Sequence, residues 1–73
     1  MTNVIIERLS GGVTRVTFVA PKGARRDYGR IYQDGDTWVW SRGSISGAVR
    51  SLTFSSRSAA VGAVIEIVEG EEA

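Results

Sequence analysis

The chain has 73 residues, nine of them Lys or Arg and eight of them Asp or Glu, and a formal net charge of +1. Neither cysteine nor histidine occurs, which excludes disulfides, thiolate metal sites and histidine-based acid–base catalysis. A chain of this length is expected to form one small domain with a thin core, and small size without crosslinks makes a homodimer a state to consider.

The first residues lack the basic and long apolar segments of a signal peptide. No apolar run approaches the ~20 residues that a membrane-spanning helix needs. We therefore expect a soluble, cytoplasmic protein.

Charge is distributed unevenly along the chain. All nine basic residues lie between Arg8 and Arg57, whereas four of the eight acids lie in the last eight residues. Residues 1–65 therefore carry a net charge of +5. A basic body with an acidic end is typical of a polyanion-binding protein, and ordinary solubility is the alternative explanation.

The N-terminal segment, residues 3–19, is predicted to be a β-hairpin. Residues 3–9 are rich in β-branched side chains, Ser10, Gly11 and Gly12 form a turn, and residues 13–19 alternate as a second strand. A three-residue loop pairs Ile6 with Val16 and Val4 with Phe18. The same register pairs Glu7 with Arg15 on the opposite face.

Residues 20–26 interrupt the strand pattern and contain the single proline of the chain. This segment is expected to be a connecting loop carrying Lys22, Arg25 and Arg26. Basic side chains on a loop suit phosphate contacts, although solvated linkers often carry such charges as well.

A second hairpin is predicted from residues 28–33 and 37–42, joined at Asp34, Gly35 and Asp36. A two-residue Asp34–Gly35 turn would pair Tyr32 with Thr37 and Ile31 with Trp38. Both tryptophans would then share a face with Ile31, and Tyr28, Arg30 and Tyr32 would point the other way. A three-residue loop with a bulge would instead bring Tyr28, Tyr32, Trp38 and Trp40 together.

The third part of the chain is predicted to be a loop of small residues at 43–48, a strand at 49–54 and a helix. Leu52 and Phe54 share a face of that strand. The loop lacks a Lys-Ser or Lys-Thr pair after a spaced glycine, so it does not indicate a nucleotide-binding loop.

The helix is predicted to run from Arg57 to about Glu69. Ser55 and Ser56 provide an N-cap, and an apolar stripe recurs at three- and four-residue spacing, made of Ala60, Val61, Val64, Ile65 and Val68. Gly62 is expected to permit close approach to the sheet and Gly70 to end the helix, with the acidic tail at 70–73 frayed. A strand at residues 64–68 is the alternative.

Chemistry-bearing groups are few. Asp34 and Asp36 flank a turn glycine, where aspartate is favoured for local hydrogen bonding. Without histidine, the loop serines have no evident activating base. We expect no enzymatic activity, no metal site and no cofactor.

Aromatic and basic side chains are the strongest functional signal. Aromatic faces stack on bases, and arginines contact phosphates and guanine edges. Trp38 and Trp40 are better explained as core residues. The predicted nucleic-acid-binding set is Lys22, Arg25, Arg26, Tyr28, Arg30, Tyr32, Arg42 and Arg50.

The segment from Asp27 resembles the three-stranded-sheet-plus-helix DNA-binding domains of plant ethylene-response factors and phage integrase arm-binding domains. The resemblance rests on Asp36-Thr-Trp-Val-Trp40 and on Leu52-Thr-Phe-Ser-Ser-Arg-Ser-Ala-Ala60, and covers about 40 residues. It implies DNA recognition by arginines and tryptophans on an exposed sheet face. The outward positions Ser51, Thr53, Val39 and Ser41 depart from that pattern, as does Val49, and the N-terminal hairpin is additional.

These observations predict an α+β fold, with an antiparallel sheet of about five strands and one C-terminal helix on one face. The leading functional hypothesis is a small nucleic-acid-binding protein, with a phage as one candidate source and DNA favoured over RNA. The alternative is a protein-interaction module that regulates or inhibits a host protein. Arginines clustered on one face would favour nucleic acid, and dispersed arginines would favour a protein partner.

Overall fold

The computed structural model describes residues 3–43 and 49–73. Five strands form one antiparallel sheet in sequence order, and a C-terminal helix packs on it, which confirms the predicted α+β architecture. The elements are β1 (Val4–Arg8), β2 (Thr14–Val19), β3 (Arg25–Asp34), β4 (Thr37–Gly43), β5 (Val49–Phe54) and α1 (Arg57–Glu72).

The N-terminal hairpin has the predicted register. Val4 lies opposite Phe18, Ile6 opposite Val16 and Glu7 opposite Arg15. A short 3-10 turn at Ser10–Gly12 joins the strands. This register places Val4, Ile6, Val16 and Phe18 on the core side, as the alternating pattern requires.

The second hairpin turns one residue later than predicted. Asp34 lies opposite Thr37, and Ile31 lies opposite Trp40 rather than Trp38. Gly35 takes a left-handed φ of +61° at the first turn position, where glycine costs least, and the Thr37 hydroxyl donates to the Asp34 carbonyl at 2.9 Å. The predicted pairing was therefore wrong, but the sharing of a face by Ile31 and both tryptophans is confirmed.

A β-bulge in β3 places Tyr28 on the helix side, where an unbroken strand would have pointed it outward. Thr17 pairs with Asp27 and Arg15 pairs with Arg30, so two residues of β3, Tyr28 and Gly29, oppose Val16 alone. The extra residue reverses the alternation of side chains. The predicted exposure of Tyr28 is wrong, because its side chain is 2% exposed.

Glycine is required at the bulge. Gly29 has a φ of +84°, and a Cβ there would lie 2.2 Å from the carbonyl oxygen of Ser41. The Asp27 carboxylate accepts a hydrogen bond from the Gly29 amide at 3.0 Å. The Trp40 indole donates to the Tyr28 carbonyl at 2.6 Å. Polar contacts thus hold the bulge from both sides.

The core lies between the sheet and α1. It consists of Val16, Tyr28, Ile31, Trp40, Ala60, Val64 and Val68, all buried, with Trp38 and Phe54 packed against it. The interpretation as a core residue is therefore confirmed for Trp40, and Trp38 is partly buried against the core. Leu52 lies opposite Trp40, and Phe54 lies opposite Trp38, on the predicted common face.

The helix begins as predicted, with the Ser56 hydroxyl accepting from the Ala59 amide at 3.1 Å. It continues through Gly70 to Glu72, so the predicted cap and frayed tail are wrong, as is the alternative strand at 64–68. Glu71 and Glu72 accept side-chain hydrogen bonds from residues of the sheet, and these bonds hold the last turn. Gly62 is exposed and does not face the sheet.

Arg25 and Arg26 belong to β3 rather than to the connecting loop, because antiparallel pairing with Val19 and Phe18 extends to them. The predicted loop of small residues at 43–48 lies outside the described residues except for Gly43, which ends β4. Within the described ranges, no helix is long and apolar enough to cross a membrane.

Candidate binding surfaces

The sheet has one side that no described element covers, here called the open face. Strand register assigns its members, because directly opposed residues share a face. They are Ile5, Glu7, Arg15, Thr17, Val19, Arg25, Asp27, Arg30, Tyr32, Asp34, Thr37, Val39, Ser41, Ser51 and Thr53.

Three arginines surround one depression of about 400 Å³ on the open face, together with Thr17 and Asp27. Arg15 and Arg30 lie directly opposite each other on neighbouring strands. Arg15 is paired with Glu7, with 2.5 Å between Nη2 and Oε1. Arg25 and Arg30 form no ion pair with any residue that the structure describes. This part of the open face can therefore accept an anion.

A second depression, of about 370 Å³, lies beside the first and shares Asp27 and Arg30 with it. Tyr32 lines this depression and is 37% exposed, and Ile5, further along the same face, is 39% exposed. Val39, between Tyr32 and Thr53, is 7% exposed. The open face thus combines cations with aromatic and aliphatic surface.

Lys22 lies in the loop between β2 and β3, three residues before Arg25. Backbone hydrogen bonds from Ala20 to Ala24 and from Gly23 to Ala20, both 2.8 Å, close this loop. Lys22 is exposed. It can add a positive charge beside Arg25, the first residue of β3.

The remaining predicted site residues lie on the other side of the sheet, in a group here called the arginine–glutamate cluster. Arg26 donates to both oxygens of Glu72, at 2.7 and 3.1 Å. Arg42 and Arg50 donate to Glu71, at 3.2 and 3.4 Å. The acidic end of α1 therefore neutralises three arginines that were predicted to contact nucleic acid.

Tyr28 joins this cluster to the core. Its hydroxyl donates to Glu72 Oε2 at 2.5 Å, and the Arg42 guanidinium carbon lies 4.1 Å from the centre of its ring. The Arg50 guanidinium carbon lies 5.5 Å from the centre of the Trp40 ring. Both arginines thus stack on aromatic rings while their nitrogens bond the helix end.

These contacts shift the pKa values of Tyr28 and Glu72. Burial, followed by the hydrogen bond to Glu72, raises the pKa of Tyr28 from 10.0 to about 12. The hydrogen bond from Tyr28 lowers the pKa of Glu72, and nearby Arg26 lowers it further. Glu72 is therefore held as a carboxylate and Tyr28 as a neutral donor.

The structure thus divides the predicted site. Lys22, Arg25, Arg30 and Tyr32 lie on or beside the open face, whereas Arg26, Arg42 and Arg50 lie in the cluster and Tyr28 is buried. Glu71 and Glu72 are not among the site residues predicted from the sequence. Four acids near the end of a chain with a basic body were the available signal, since opposite charges attract in the folded state.

No group of three or more acidic side chains suited to a metal ion occurs within residues 3–43 and 49–73. Comparison with protein-family models, curated proteins and solved structures gives no match for this chain.

Proposed function

We propose that this protein is a protein-interaction module that docks an acidic segment of a partner on its open face. The observation that supports this most directly is that Arg30 and Tyr32 are exposed together on a sheet surface that no described element covers. Tyr and Arg are the residue types that dominate binding energy at protein interfaces. Arg30 and Tyr32 would be the central contacts.

The direct opposition of Arg15 and Arg30 supports an acidic partner. Like charges directly opposite each other destabilise a sheet. Glu7 relieves this repulsion at Arg15, with both partners near half exposed, but no described carboxylate pairs with Arg30. A partner carboxylate bound to Arg30 would remove the remaining repulsion and could bind in a bidentate manner.

Distribution of the arginines favours protein over nucleic acid. Arg15, Arg25 and Arg30 lie on the open face, while the cluster holds three more on the opposite side. The open face also carries Glu7 and Asp27, so its charge is mixed rather than uniformly positive. A surface that combines mixed charge with exposed Ile5 and Tyr32 has the composition of a protein–protein interface.

Site-specific photocrosslinking tests the proposal. A photoreactive phenylalanine analogue would replace Tyr32 in one variant and Glu66, an exposed residue of α1, in a matched control. After irradiation in a lysate of the source cell, the Tyr32 position should give one discrete adduct that survives nuclease digestion. Mass spectrometry should locate the crosslink in an acidic segment of another protein.

Adding Arg30→Glu to the variant that carries the photoreactive residue at position 32 should abolish the adduct, because an anion then replaces the central cation. An adduct of twice the chain mass would identify a second copy and overturn the proposal of an acidic partner. Equal labelling from positions 32 and 66, or no adduct, would also overturn it.

Nucleic acid is a second candidate, supported by the grouping of Arg15, Arg25 and Arg30 around one depression, with Lys22 in the loop that precedes Arg25. Tyr32 could stack on a base. Four phosphate contacts would weaken binding of a labelled random duplex about 100-fold between about 50 and 200 mM salt. Fluorescence anisotropy measures this, with a single strand titrated in parallel. A nuclease-sensitive adduct at Tyr32 would favour this candidate over the first.

A further inference from the structure

The end of α1 is a poor helix terminus by local criteria. Its last turn contains Glu71 and Glu72 and no basic residue, although carboxylates near a helix C-terminus oppose the helix dipole. Gly70, within the same turn, is the weakest helix former after proline. Tertiary contacts must therefore hold this turn in place.

Those contacts form a preorganised anion site. Arg26, Arg42 and Arg50 converge on two adjacent carboxylates, and the buried Tyr28 hydroxyl donates to one of them. Two guanidinium groups are oriented by stacking on Tyr28 and Trp40. Stacking holds their donors in a geometry suited to paired oxyanions.

We propose that the arginine–glutamate cluster is a masked binding site for an acidic peptide, occupied in the resting protein by Glu71 and Glu72. A segment with adjacent carboxylates would displace the last turn and bind the same donors. This site is on the side of the sheet opposite to the open face and does not depend on the function proposed for that face.

The ion pairs of the mask are individually weak, and the hydrogen bond from Tyr28 to Glu72 is the contact that an incoming carboxylate must replace. Arg26 and Arg50 remain 59% and 56% exposed, and exposed ion pairs contribute little stability. An internal competitor lowers the apparent affinity by the fraction of time that it occupies the site. Weakening the internal carboxylates should therefore strengthen binding of an external peptide.

A labelled hexaglutamate peptide, followed by anisotropy, is the direct probe. The variant Glu71→Gln/Glu72→Gln removes both charges but keeps an acceptor for Tyr28. We expect it to bind the peptide at least about 10-fold more tightly than the original protein. The control Asp36→Asn/Glu66→Gln changes net charge equally, at a turn residue and an exposed helix residue away from the cluster, and should not gain affinity.

Adding Arg42→Ala and Arg50→Ala to the unmasked variant should abolish the gain. An equal gain in the charge-matched control would overturn the proposal, because net charge alone would explain it. A gain seen only with labelled oligothymidylate would overturn the peptide assignment in favour of nucleic acid.

The unaltered protein provides a test that does not depend on variant folding. Saturating hexaglutamate should accelerate amide hydrogen exchange over residues 69–73, since the displaced turn loses its hydrogen bonds, while exchange in the centre of α1 stays slow. Unchanged exchange at the helix end with peptide bound would overturn the proposed displacement.

Discussion

The hydroxyl of Tyr28 donates a 2.5 Å hydrogen bond to Glu72, linking the bulge of β3 to the last turn of α1 across 44 positions of sequence. This bond depends on the bulge, because without the extra residue the Tyr28 side chain would point to the open face. It also depends on continuation of the helix past Gly70. A core tyrosine and a terminal carboxylate thereby stabilise each other.

Stability should decrease at alkaline pH through Tyr28. Its pKa is raised from 10.0 to about 12 in the folded protein, so its contribution is complete below pH 10 and is lost as pH rises towards 12. The expected loss by pH 12 is about 2 kcal/mol. Urea unfolding at several pH values should show a shallower alkaline decrease for Tyr28→Phe than for the original protein. Parallel alkaline curves would contradict this assignment.

Stability should also decrease at acidic pH, through Glu72. The pKa of Glu72 is lowered in the folded state, so its contribution is present above its ordinary value of 4.5 and is lost as pH falls below that value. Glu72→Gln should reduce stability at neutral pH and flatten the acid limb of the pH profile. Glu66→Gln, at an exposed position with the same charge change, is the control and should leave stability at neutral pH nearly unchanged.

Two glycine-to-alanine substitutions should have opposite effects. Gly29→Ala forces a left-handed φ on alanine and places a Cβ 2.2 Å from the Ser41 carbonyl oxygen, so it should cost more than about 2 kcal/mol. Gly62→Ala adds a Cβ in open space within α1 and should stabilise the protein by up to about 1 kcal/mol. Equilibrium urea unfolding measures both, and a mild effect at Gly29 would show that the bulge can rearrange.

Trp40→Phe should be more destabilising than Trp38→Phe. Trp40 is fully buried and its indole donates to the Tyr28 carbonyl at 2.6 Å. Phenylalanine would leave a cavity and remove this hydrogen bond, at a cost of about 2–4 kcal/mol. Trp38 is only partly buried. Thermal or urea denaturation of both variants gives the comparison, and equal losses would mean that the Trp40 hydrogen bond contributes little.

Local patterns were sufficient for much of the fold. Alternation of apolar residues predicted the register of β1 and β2 because a shift of one residue would expose Val16 and bury Arg15. The tryptophans were placed on the core side even though the turn was predicted one residue early. Moving the turn by one residue shifts the pairing of the two strands by two residues, so each side chain keeps its face of the sheet.

The candidate site was less predictable. A glycine within a strand pattern is compatible with a bulge, but nothing local to Gly29 shows that Ser41 approaches it closely. Burial of Tyr28 follows from that bulge, so an aromatic residue predicted to bind a ligand became part of the core instead.

The sequence by itself determined the number and order of the elements, the hairpin register of β1 and β2, the N-cap at Ser56 and the placement of Trp40 in the core. These features depend on periodicity and on residues close in sequence. Only the tertiary structure decided which arginines remain available. Arg26 meets Glu72 across 46 positions, and such long-range charge pairing depends on where the sheet and helix place the two side chains, which no local pattern encodes.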